Sequence, residues 1–165
     1  MSPTTTDADI LALVDAAFMG VAKPAQFHDP DRGEESAGHN RTLRIRDRAT
    51  LDIEDVGDIC RQPITGCAPQ GIAYYFPALA RLALAPPTHR HGWYGDTLEI
   101  HLSSGGHKNP FLAYCNPQQR QAVAALLGHL NLTRVHLRMR MTDDEQMRNT
   151  QALWRGEAYR ELEVE

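Results

Sequence analysis

What the chain lacks narrows it first. Cysteine is sparse: Cys60, Cys67 and Cys115 are an odd number without CxxC spacing. That excludes a disulfide-dense secreted scaffold and points to reduced, buried thiols in a cytoplasmic protein, with a Cys60–Cys67 disulfide as the alternative. Long apolar runs are missing too. The densest, GIAYYFPALARLALA at residues 71–85, has about 15 residues where about 20 are needed to cross a bilayer. The opening MSPTTTDADI has neither a basic n-region nor an apolar h-region, so neither a secretory signal nor a membrane partner is expected. Positive charge is not in excess. The 17 Lys and Arg face 21 Asp and Glu, a formal net charge of −4, so nucleic acid is not expected as a partner. Catalytic signatures are absent as well: there is no HExxH, GxSxG, GxxxxGK[ST] or DxDxDG. No cofactor is expected.

What is present suits one domain of 165 residues that is 42% hydrophobic. Ile72, Tyr75, Phe76, Leu79, Leu82 and Ala83 keep the spacing of one helical face. Pro69 suits a first turn. Pro77 interrupts the interior, where its ring costs about 3 kcal/mol in a straight helix. Two helices, or one kinked helix, are therefore expected to meet near Phe76. This stretch is read as a buried hub enclosed by amphipathic helices, with no room left for a reactive centre.

Elsewhere, Thr6 caps a helix over residues 7–19, stopped by Gly20. Residues 21–50 carry Pro24, Pro30, Gly33 and Gly38 and read as a long loop. Within it, Leu43 and Ile45 alternate with arginines as a short strand. A short helix is expected over 51–61, weakened by Gly57. Asp96 and Glu99 read as the capping pair of another helix. Asn116, Pro117 and Gln119 open a helix over 117–130. RVHLRMRM at 134–141 alternates strictly and reads as a strand pairing with residues 43–45. Thr142 and Glu145 then cap a last helix that holds Met147, Leu153, Trp154 and Tyr159.

The candidate sites follow from these placements. His89, His91 and His101 form a candidate metal set, because H-x-H on an extended segment points both rings to one side and zinc accepts three histidines with an open fourth position. Arg134, His136, Arg138 and Arg140 share one face of the expected strand. Arg44 and Arg46 would extend that face if the strands pair, giving a surface for an acidic protein partner. His28, Asp29, Asp31, Glu34 and Glu35 cluster in the expected loop and read mainly as a solvated acidic surface.

The segments VDAAFMGV (14–21), AYYFPALARLAL (73–84), LEIHL (98–102) and NPQQRQAV (116–123), with the late Trp154, resemble an uncharacterised bacterial domain-of-unknown-function family. The resemblance implies a small helical domain and brings no assigned chemistry. That family carries a His and Cys pair in the early loop. Here the region reads HDPDRGEES, with His28 and no cysteine near it in sequence.

The expectation is thus a single, mostly α domain over residues 1–165, a compact bundle of about five to six helices with or without one short two-stranded β ribbon. Its expected role is a non-enzymatic protein-binding module, such as a bacterial toxin-neutralising immunity-type protein. The alternative is a metal-dependent enzyme using His89, His91 and His101.

Overall fold

Proline does not break the central helix: Pro69–Leu84 runs as one element with Pro77 inside it. The computed structural model describes residues 4–58, 60–138 and 144–157. Among them stand eight α-helices: α1 (Asp7–Phe18), α2 (Glu34–Ile45), α3 (Ile53–Val56), α4 (Pro69–Leu84), α5 (Tyr94–Ser103), α6 (Pro110–Tyr114), α7 (Pro117–Thr133) and α8 (Asp144–Arg155). The mostly α expectation holds. The β ribbon does not form among the described residues, whose one isolated bridge pairs Thr88 with Gly92. Among the same residues, no helix is long and apolar enough to cross a membrane.

The hub is where the sequence put it. Tyr75, Phe76 and Leu79 have no exposed surface. Burial is not confined to one stripe, however. Every residue from Ala73 to Ala80 is buried, Pro77 included, as in a helix surrounded on all sides. Packing on α1, α5, α6 and α7 offsets the proline's cost. A run of rings ties these elements together. Phe18 lies 4.8 Å from Phe76, Phe76 lies 5.6 Å from Phe111, and Phe111 lies 5.4 Å from Trp154. Such aromatic pairs add to the area they bury.

The ends of two long helices are set by local chemistry that the sequence displayed. Thr6 and Asp9 form the capping box of α1, and Asn116 and Gln119 that of α7, with Pro117 in its first turn. Helix α7 extends past the expected stop at 130, because Arg134 holds its C-terminal end. The Arg134 guanidinium bonds both oxygens of Asp7, at 2.7 and 2.5 Å, and the Leu84 carbonyl at 2.9 Å. His129 Nε2 lies 2.7 Å from the same Asp7. The paired guanidinium is the main reason the Asp7 carboxyl is lowered to about 2.

The expected loop at 21–50 is corrected: it contains a 3₁₀ turn (Pro30–Arg32) and α2. Helix α2 buries just Asn40 and Leu43, too little for an apolar stripe to be visible. Its hold is polar. Asn40 Oδ1 accepts from the Phe27 and His28 amides at 2.8 and 3.2 Å, while its Nδ2 donates to Gln26. At the other end, Lys23 donates to the Arg44 and Arg46 carbonyls at 2.8 and 2.5 Å. The Tyr75 hydroxyl reaches the Leu43 and Arg46 carbonyls at 2.5 and 2.8 Å. A cation at a helix C-terminus also complements its dipole.

Three further expectations change. Residues 43–45 are helical, so the strand expected at 134–141 has no partner there, and Val135–Leu137 closes into a 3₁₀ turn. Helix α3 is four residues long, its chain leaving the helix at Gly57. Helix α5 starts at Tyr94 with Trp93 at its cap position, so Asp96 and Glu99 fall inside the helix and are buried rather than capping it. The expected contributions of Met139, Arg140, Met141, Thr142, Asp143 and Tyr159 lie outside the described residues.

Candidate functional site: a cavity beside α5

Tyr75, Phe76 and Leu79 are fully buried, but space remains beside the hub. A cavity of about 900 Å³ lies between residues 62–72, helix α5 and the start of α6. Its walls are chiefly apolar: Ile64, Ile72, Trp93, Leu98, Ile100, Leu102 and Phe111 contribute. Gln62, Cys67, His91, Asp96, His101, Asn109 and Arg138 supply polar lining, together with the hydroxyl-bearing Thr65, Thr97 and Ser104.

Trp93 forms a fixed wall. It is 2% exposed and its Nε1 donates to the Ala83 carbonyl at 2.8 Å. Its ring lies flat across the first turn of α5 because position 95 is glycine. A Cβ at that position would stand 2.1 Å from the Trp93 ring, inside any tolerable contact. Asn109 shapes the lower rim. Its Oδ1 accepts from the Phe111 and Leu112 amides at 2.9 and 3.2 Å, while its Nδ2 donates to the His101 and Ser104 carbonyls, both at 2.9 Å.

The polar groups divide into engaged and unengaged. Arg138 is largely buried. Its guanidinium pairs with Asp144 and donates to Asn131 Oδ1 at 2.5 Å, yet its Nε meets no partner among the described residues. Asp96 already has a partner. His91 Nε2 sits 3.3 Å from Glu54. Gln62 donates from Nε2 to the Asp58 carbonyl at 2.6 Å, leaving Oε1 buried without a partner among the described residues, as is His101 Nε2. Burial lowers the His101 pKa to about 4, so the ring is neutral near pH 7. Burial raises the Cys67 thiol to about 12, which removes it as a thiolate nucleophile.

The sequence-predicted sites fall elsewhere or apart. His89 is exposed on the turn before α5, while His91 and His101 line the cavity. Among the described residues, no group of three or more His, Cys, Asp or Glu is arranged to hold a metal ion. The arginine face is not assembled as expected either. Arg134 is tied to Asp7 and Arg138 to Asp144, whereas His136 is exposed. Arg46 pairs with Asp55 at 3.2 Å. Arg44 lines a separate open groove with Glu34, Glu35, Arg41, Glu54 and Arg61. Arg140 lies outside the described residues.

A small recess of about 360 Å³ joins His28, Glu35, His39 and Cys60. It brings a cysteine beside His28 that lies far from it in sequence. His28 Nε2 is engaged by the Pro63 carbonyl at 2.5 Å. All three cysteines are free, Cys60 exposed and the others buried, so the Cys60–Cys67 alternative does not form.

Sequence reasoning missed Gln62, Trp93, Asp96 and Arg138 as cavity residues. Trp93 alone left a local signal, a tryptophan two positions before a glycine at a helix start; nothing local marks Gln62, Asp96 or Arg138. No family model, curated protein or solved structure matches the chain. The family resemblance therefore rests on the segments quoted from the sequence.

Proposed function

We propose that this chain is a binding module for a small apolar molecule, enclosed by the cavity beside α5. The observation that carries this reading is a space of about 900 Å³ with mainly apolar walls and a few polar groups among them. Small-molecule sites have that size and make-up. The high pKa of Cys67 fits binding better than covalent chemistry. The test uses the neutral dye N-phenyl-1-naphthylamine. Saturable, one-to-one fluorescence enhancement is expected, weakened about tenfold or more by Ile100→Trp, since Ile100 lines the cavity and is 38% exposed and a larger ring there fills space without overpacking the core. Unsaturable dye uptake, or uptake unchanged in the variant, sinks the reading.

A second reading keeps the expectation of a protein partner of the immunity type. It is favoured by the open groove along α2, where Glu34, Glu35, Glu54 and Asp58 face Arg41, Arg44 and Arg61, and by Ile45, 77% exposed at its edge. Mixed charges around an exposed apolar anchor suit recognition by charge complementarity. Under this reading, a stoichiometric protein partner recovered from the host is lost when Arg41 and Arg44 are both changed to Glu. A partner held equally by parent and variant speaks against the groove.

A further inference from the structure

The chemistry of the cavity wall narrows the ligand class, an inference that rests on the small-molecule reading. Each of the two charged side chains among the described lining residues already has a partner. Arg138 is neutralised by Asp144 and shares a second amino group with Asn131. Asp96 has its own partner. Among the described residues, an ionised ligand head would meet a mostly apolar space whose charged groups already have partners, and a buried unpaired charge is strongly penalised. What the wall still offers is uncharged or singly directed hydrogen bonding. His101 Nε2 and Gln62 Oε1 are buried without hydrogen-bond partners among the described residues, as are the Arg138 Nε–H and His91 Nε2, the latter 3.3 Å from the Glu54 carboxylate. Buried polar atoms in native proteins are nearly always satisfied, so an orphaned set beside one cavity points to a missing partner.

We propose that the cavity takes an uncharged hydrocarbon-like molecule bearing a hydroxyl or carbonyl group, its polar end held by His101 and Gln62. A hydroxyl both donates and accepts, so it meets either group whichever tautomer His101 adopts. The neutral state of His101, held by its burial, agrees with this choice, because a neutral ring gives a carboxylate no charge to pair with.

The experiment displaces N-phenyl-1-naphthylamine from the full chain with decan-1-ol, decanoate or decylammonium near neutral pH. Decanol is expected to half-displace the dye at a concentration at least about tenfold below that of either ion. In His101→Leu, decanol is expected to weaken about fivefold while the dye still binds. Decanoate or decylammonium matching decanol overturns the proposal. Decanol unaffected by His101→Leu removes His101 from the polar end. Both results require a dye that binds saturably; a dye that does not bind brings down the small-molecule reading itself, and this proposal with it.

Discussion

Gly95→Ala lowers stability by about 3 kcal/mol in urea unfolding, at an unchanged dependence on denaturant. The added methyl lands 2.1 Å from the Trp93 ring, with two further ring atoms at 2.3 and 2.6 Å. Neither the α5 backbone nor a tryptophan that is 2% exposed can yield that distance cheaply. Overpacking of this kind costs about 1–3 kcal/mol. Displacing the ring also breaks the bond from Trp93 Nε1 to the Ala83 carbonyl, leaving a buried acceptor that costs about 1–3 kcal/mol more. The two losses share one cause, so they do not simply add. A double-mutant cycle with Trp93→Ala checks the mechanism: the Gly95→Ala penalty should largely vanish once the ring is gone. A penalty that persists in full places the strain elsewhere.

The second large effect is a loss of stability in mild acid. Burial holds the His101 pKa at about 4, against 6.5 in an open chain. Between those values the unfolded chain takes up a proton that the folded chain refuses. Stability is therefore complete above about pH 6.5 and falls as the pH drops toward 4, by about 3 kcal/mol for this group. His101→Leu should flatten the decline across that window. Asp7 acts in a lower one. Its carboxyl is held at about 2 instead of 3.8, so its contribution is present above pH 3.8 and is lost as the pH falls toward 2. Its side chain is nearly half exposed, so solvent screening keeps that second loss smaller. Thermal or urea unfolding followed from pH 7 to about pH 2 separates the two windows. A parent protein equally stable at pH 7 and pH 4.5 contradicts the assignment to His101.

These effects also mark where the sequence was readable. Helices α1 and α7 were visible because their starts are written locally, Thr6 with Asp9 and Asn116 with Gln119. Helix α4 was visible from its density of apolar residues, although Pro77 argued for a break that surrounding contacts prevent. Helix α2 was not visible, since it is fastened by Asn40, Lys23 and Tyr75 rather than by an apolar face. Over the described residues 134–138, the alternation misled because period two describes a strand only when a neighbour exists to pair with it. The cavity was illegible for a different reason. Its walls come from residues near 62–72, 91–104, 109–111 and 138, and no periodicity links positions so far apart. Of the three histidines, His91 and His101 line the cavity, while His89 stays exposed on its turn.

The way α2 is fastened bears on how the protein would change over generations. Its twelve residues bury two side chains, an amide at position 40 and a leucine at position 43. Substitutions at the exposed sites Glu34, Glu35, Arg41, Arg44 and Ile45 meet little resistance from packing, so that helix is free to vary its surface charges and remain in place. A divergent descendant would keep the amide and the leucine three positions on, and little else of the segment would look alike.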